Sequence, residues 1–166
     1  MIEFEHQRHK PPTALDRPRE LLVVCAPLRS NVNVSRIART AGCCGLERMI
    51  CCGSPKVIAK IARDGGSALE IETHRTLPPV LRRLKAEGYT LVGLEQTSGS
   101  RSLHEFAFAR RTALVVGNER TGLTEEELRL VDAVVEIPVW GLPHSYNVAT
   151  AVAMTLYEYC RQYPRG

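Results

Sequence analysis

The sequence predicts an α/β domain built on a mainly parallel sheet, and three observations carry that reading. Continuous apolar runs of strand length recur along the chain. Amphipathic segments with recognisable helix starts and stops lie between them. The connections are short, which suits strand–helix–strand units. The 166 residues fit one domain, and an apolar fraction of 44% supplies a core and argues against a disordered chain.

Residues 1–20 read as a flexible basic arm ahead of a domain spanning residues 21–166. The arm holds His6, Arg8, His9, Lys10, Arg17 and Arg19 together with Pro11, Pro12 and Pro18. Such a segment suits a solvated tail or a contact with RNA phosphates. Residues 21–26 (LLVVCA) form a continuous apolar run, as in a strand buried on both faces. Asn33 can cap a helix reaching about residue 44, in which Val34, Ile37, Ala38 and Ala41 make the inward stripe. Arg36 and Arg39 lie off that stripe, and Gly42 and Gly45 loosen the helix end. Residues 48–52 (RMICC) read as a second strand.

Residues 56–63 are predicted helical, ending before Gly65 and Gly66, and residues 70–73 are a weaker strand. Pro78 and Pro79 open a helix that Gly88 closes, with Arg82, Arg83 and Lys85 on its surface. Residues 89–95 (YTLVGLE) and 112–116 (TALVV) are strong strands, separated by a polar loop at 96–101 that contains Gly99. Thr124 with Glu127 forms a capping box for a short helix. Residues 133–138 (AVVEIP) read as a further strand and 140–146 as a loop. Asn147 can cap a last helix running to about residue 162, with Val148, Val152, Leu156 and Tyr159 as its buried stripe.

The formal charge of +4 permits a nucleic-acid partner without requiring one. No apolar run reaches the roughly 20 residues that span a bilayer. The polar N-terminus lacks the apolar stretch of a secretion signal, so a cytoplasmic protein is expected. Six cysteines include the adjacent pairs Cys43–Cys44 and Cys51–Cys52. Those four suit a metal cluster in composition but not in spacing, so buried reduced thiols are the expected role and no metal is assigned.

In parallel α/β sheets, ligands bind beyond the carboxyl ends of the strands. That rule points to the loops at 96–101, 117–123 and 139–146. In the second, Gly117 follows a buried strand directly, which lets backbone approach a ligand closely, and Glu119 sits where the strand gives way to a helix start. The run from Gly117 to Leu123 is neither a Walker A loop nor a dinucleotide-binding glycine motif. In the third, Ser145 and Asn147 suit helix capping equally with lining a pocket at a helix N-terminus. Far upstream, Arg39 suits a solvent-facing position or a bidentate grip on a phosphate.

The order Asn33…Arg39-Thr40-Ala41, then Gly117-x-Glu119-x-x-Gly122-Leu123, then Ile137-Pro138-x-x-Gly141…Ser145-x-Asn147-Val148 resembles the SpoU family of RNA 2′-O-methyltransferases, within the SPOUT superfamily. The resemblance spans nearly the whole chain, from about residue 21 to 162. It implies a parallel sheet with a deep C-terminal trefoil knot, a rare exception to the usual connection rules. It also implies a homodimer packed through the knotted region and the C-terminal helix.

The resemblance further implies an S-adenosylmethionine site at Leu94, Gln96 and Thr97 on the first loop and Gly117 on the second. Ile137, Val139, Leu142, Ser145 and Tyr146 would complete it on the third. Arg39, Asn33, Glu119, Ser145 and Asn147 would form the catalytic set acting on a ribose 2′-hydroxyl of tRNA or rRNA. Arg39 would clamp phosphate and stabilise charge on the 2′-oxygen, oriented with the substrate by Asn33, Glu119 and Asn147. The Gly-Asn-Glu-Arg-x-Gly form and the Glu-Ile-Pro context resemble members that modify guanosine 18 of the tRNA D-loop.

Three positions depart from the family pattern. Ser35 stands where the family usually has glycine, Tyr146 replaces a leucine beside the cofactor, and Ala149 replaces a serine. A non-catalytic RNA- or nucleotide-binding α/β module is the reading from a different functional class.

Overall fold

A computed structural model describes residues 1–166. Seven strands form one sheet: β1 (Leu21–Cys25), β2 (Arg48–Cys52), β3 (Glu70–His74), β4 (Thr90–Leu94), β5 (Arg101–Ser102), β6 (Thr112–Val116) and β7 (Ala133–Glu136). Five helices connect or follow them: α1 (Asn31–Cys43), α2 (Ala59–Ser67), α3 (Leu77–Ala86), α4 (Glu125–Leu130) and α5 (Val148–Gln162). The strand order is β3-β2-β1-β6-β4-β7-β5, and every pairing is parallel. The predicted α/β class and parallel sheet are therefore present. β7 lies between β4 and β5, both earlier in the chain. That placement is consistent with a threaded C-terminal segment.

The two-residue alternation of the strands sorts the core onto the two faces of the sheet. Leu21, Val23, Cys25, Met49 and Cys51 pack with α1 and α5 on one face. Leu22, Val24, Ala26, Ile50 and Cys52 pack with α3 on the other. The α1 stripe Val34, Ile37, Ala38 and Ala41 is buried as its spacing requires. On α5, Val152, Leu156 and Tyr159 are buried, whereas Val148 is partly exposed. Each fully buried aliphatic side chain contributes about 1.5–3 kcal/mol. Cys25, Cys51 and Cys52 are buried free thiols, Cys44 and Cys160 are partly exposed, and Cys43 is exposed.

Several local expectations need correction. Asn33 is not the cap of α1. Ser30 is, its hydroxyl accepting from the Asn33 backbone N–H at 3.2 Å. The helix thus starts two residues before Asn33, which frees the Asn33 amide for tertiary contacts. α2 begins later than residue 56 and continues through Gly65 and Gly66, with Arg63 in the left-handed region at φ 52°. These glycines act as a packing surface. A Cβ on Gly42 would lie 2.5 Å from the Gly65 Cα, and one on Gly65 would lie 2.9 Å from the Arg39 carbonyl oxygen. The edge strand β5, inside the segment after the predicted polar loop, has too short an apolar pattern to announce itself.

Ser35 turns its departure into a joint. Fully buried, its hydroxyl donates to the Asn31 carbonyl at 2.6 Å and accepts the Ile58 N–H at 2.8 Å, tying the start of α2 to α1. The end of the basic arm is anchored as well. Arg19 donates to the Cys44 carbonyl at 2.7 Å and to the Tyr163 carbonyl at 2.6 Å. Asp16 pairs with Arg165 at 2.8 Å. No helix is long and apolar enough to cross a membrane.

Candidate active site

A cleft of about 330 Å³ opens beyond the carboxyl ends of β4, β6 and β7. All three loops that the sheet rule singled out contribute to its wall. Of the nine expected cofactor contacts, Leu94, Gln96, Gly117, Ile137, Ser145 and Tyr146 line it. Thr97, Val139 and Leu142 lie outside the lining, and Leu142 projects 81% exposed. The wall alternates apolar side chains with the carboxylates of Glu95, Glu119 and Glu136.

The glycine turn after β6 is built by close approach. A Cβ on Gly117 would lie 2.5 Å from the Gly122 carbonyl carbon and 2.6 Å from the Leu123 nitrogen. Asn118 and Gly122 exchange two backbone hydrogen bonds, at 3.2 and 2.9 Å. Gly122 adopts φ +66°, where a side chain would run into the Glu95 carboxylate. The Asn118 side chain folds the turn from within, its Oδ1 accepting from Arg120 and Thr121 while its Nδ2 donates to the Pro27 carbonyl. This Asx turn was readable from an asparagine beside a glycine.

Glu95 carries no comparable sequence signal. Its carboxylate accepts from the Leu123 N–H at 3.0 Å and the Gln96 N–H at 3.1 Å, joining the first loop to the second. That role depends on β4 and β6 being neighbours in register.

The strongest convergence lies behind the cleft. Glu119 accepts from the backbone of Arg29 at 2.9 Å and of Ser30 at 3.0 Å, immediately before α1. Asn33 donates to Glu119 Oε1 at 3.2 Å, and Asn33 Oδ1 accepts from Asn147 Nδ2 at 3.2 Å. Asn147 Oδ1 in turn caps α5, accepting from Ala149 at 2.9 Å and Thr150 at 3.4 Å. One chain of hydrogen bonds thus joins the three sequence groups. Burial works against the Glu119 charge, but the donors from Arg29, Ser30 and Asn33 outweigh it and hold the carboxyl below its ordinary value.

Ser145 joins the cleft wall, whereas Arg39 joins neither the wall nor the hydrogen-bonded chain. Arg39 sits six residues beyond Asn33, about 9 Å along the helix axis and on a different face. Its side chain is exposed.

A cleft of this size, with three loops, an apolar wall and carboxylates, suits a small ligand carrying positive charge and a flat ring. Tyr146 is partly exposed on that wall and can cover a ring from one side.

Comparison with known proteins agrees with the geometry. Residues 20–157 match the model of the SpoU rRNA Methylase family. The chain is 32% identical over 149 residues to the tRNA (guanosine(18)-2′-O)-methyltransferase of Escherichia coli K12, covering 88% of this chain and 65% of that protein. The chain therefore spans slightly less than two thirds of that relative's length. The crystal structure of the A. aeolicus TrmH/SpoU tRNA modifying enzyme superposes with a TM-score of 0.83 at 27% identity, covering 90% of this chain and 78% of that one. The SpoU methyltransferase AviRb from Streptomyces viridochromogenes, in complex with the cofactor AdoMet, superposes with a TM-score of 0.77 at 28% identity, over 92% and 64% of the two chains.

Proposed function

The chain belongs to the SpoU rRNA Methylase family, and from that premise we propose that it transfers a methyl group from S-adenosylmethionine to a ribose 2′-hydroxyl of tRNA, at a guanosine. The observation that carries this reading is the bonded set Glu119–Asn33–Asn147 standing behind the three-loop cleft. The names of the relatives supply the tRNA and guanosine assignment.

S-adenosylmethionine, when bound, supplies a methyl group already activated by its sulfonium. Leu94, Gln96, Gly117, Ile137, Ser145 and Tyr146 would hold it. The close packing at Gly117, which leaves no room for a side chain, fits a cofactor pressed against backbone. The carboxylates of the wall suit its positive charge. Placing the 2′-oxygen in line with the methyl group supplies much of the rate.

The 2′-hydroxyl is a poor nucleophile until its proton leaves. Arginine, with a pKa above about 12, is ill-suited to take that proton. Arg39 instead grips the neighbouring phosphate and stabilises negative charge developing on the 2′-oxygen. Asn33, Glu119 and Asn147 fix the start of α1 and of α5, and so position both Arg39 and the cleft wall. The protein works as a homodimer packed through the C-terminal helix and the knotted region. Because Arg39 stands outside its own cleft wall, the dimer lets an Arg39 of one copy meet RNA held at the cleft of the other. Residues 1–20 form a separate basic arm.

Calorimetry with S-adenosylhomocysteine, followed by methylation of bulk tRNA by wild type and Arg39→Ala, tests the proposal. Cofactor binding with activity that the substitution abolishes is expected. Absence of cofactor binding refutes it. Binding without methylation of any RNA favours a non-catalytic RNA-binding module.

A further inference from the structure

Trp140 is the sole tryptophan of the chain and is 81% exposed. It stands in the loop after β7, the same loop that sends Ser145 and Tyr146 into the cleft. The exposed His104 ring lies beside it, with centroids 6.1 Å apart and planes inclined by 32°. Strand pairing fixes this neighbourhood: β5 runs alongside β7, and the Leu103 N–H donates to the Glu136 carbonyl at 2.8 Å. Two flat rings thus stand together in solvent at the cleft's edge.

The charges around them are positive and unspent. Arg101 and Arg120 have no carboxylate partner. Arg120 lies on the cleft wall, and the Arg101 guanidinium sits 5.0 Å from the Phe106 ring centroid. His144, on the same loop as Trp140, is exposed too. Exposed aromatic faces flanked by free cations match a nucleic-acid strand, in which an unpaired base offers a π face and the backbone offers phosphates. A second copy of this chain would bring the same cations against these, which disfavours it as the occupant.

We infer that Trp140, with His104 beside it, is a stacking platform for an unpaired base of the RNA strand next to the target nucleotide. This inference rests on the proposed RNA substrate. It assigns the cleft to the cofactor and the Trp140 loop to substrate recognition. The platform reads no base edge, so it selects for unpaired structure around the target more than for sequence.

As the sole tryptophan, Trp140 reports its own occupancy. Titration of the full chain with unfractionated tRNA should quench its fluorescence, with the same midpoint as the anisotropy of labelled tRNA. Stacking on a base is worth about a tenfold change in affinity or more. Trp140→Ala should weaken tRNA binding by that factor, whereas Trp140→Phe, which keeps a flat ring, should stay within about threefold of wild type. Calorimetry should find S-adenosylhomocysteine binding unchanged in both variants.

Unaltered tRNA affinity in Trp140→Ala overturns the platform, as does a change of oligomeric state in that variant with no loss of tRNA affinity. Trp140-dependent tRNA binding by a wild-type protein that binds no S-adenosylhomocysteine leaves the platform standing and sinks the methyltransferase reading. A wild-type protein that binds no tRNA overturns both.

Discussion

Asn33 donates to Glu119 across 86 positions of sequence, at 3.2 Å, and so joins the first turn of α1 to the glycine turn after β6. The same asparagine accepts from Asn147, so its amide is satisfied at both ends. Removing Glu119 orphans the Asn33 amide and the two backbone donors of Arg29 and Ser30 together. Each donor left without a partner costs roughly 1–3 kcal/mol where water cannot replace the acceptor. Glu119→Ala is expected to destabilise by about 2 kcal/mol, or about 4–8 °C in Tm for a chain of this length. Asn33→Ala should lose activity too, while Ser30 still caps α1. Thermal melts with methylation assays on the two variants check this.

Acid should weaken the same junction. Glu119 is held below its ordinary value of 4.5, with burial opposed and outweighed by the Arg29, Ser30 and Asn33 donors. A carboxyl depressed by folding contributes its full stability above the unfolded value. That contribution disappears as pH falls through the folded value. The stability difference between wild type and Glu119→Gln should therefore be constant above about pH 5 and shrink below the ordinary carboxyl range. Denaturant unfolding of both proteins from pH 7 to pH 3 measures it.

Gly117 is the position where the cleft tolerates least. A Cβ there would press on the Gly122 carbonyl carbon and the Leu123 nitrogen, both backbone atoms that cannot rotate aside. Gly117→Ala should cost about 1–3 kcal/mol of stability. It should also weaken S-adenosylhomocysteine binding by at least about tenfold, since about 1.4 kcal/mol of misplaced contact suffices for that. Gly99→Ala, where nothing lies within 4 Å of the added Cβ, is the matched control and should bind normally.

Cys160 is expected to be a reactive thiol. The hydrogen bond from Cys44 and the nearby Arg19 charge pull it down to about 7, against the opposing effect of burial. Its alkylation by iodoacetamide, followed by peptide mass spectrometry, should reach half its maximal rate near pH 7. Arg19→Ala should move that midpoint upward.

The layers of the fold were legible because the alternation of strands and helices is written in hydrophobic period. The LLVVC and TALVV runs and the α1 stripe fall where their patterns require. The capping box at Thr124 and the Asn147 cap were equally local, and both are present. The start of α1 was misplaced because Ser30 and Asn33 are both good capping residues, and Asn33's tertiary partners decided between them. The helix through Gly65 and Gly66 was cut short because glycine disfavours an isolated helix, whereas here it admits the close approach of α1. Glu95 was invisible for a different reason. Its work lies between β4 and the turn after β6, and only strand order brings those together.

The most direct test is nucleoside mass spectrometry of tRNA incubated with the purified chain and S-adenosylmethionine. The account predicts the appearance of 2′-O-methylguanosine, absent when Arg39→Ala replaces wild type. Transfer to a base in place of ribose, or no methylated nucleoside in any RNA supplied to a protein that binds S-adenosylhomocysteine, would contradict it.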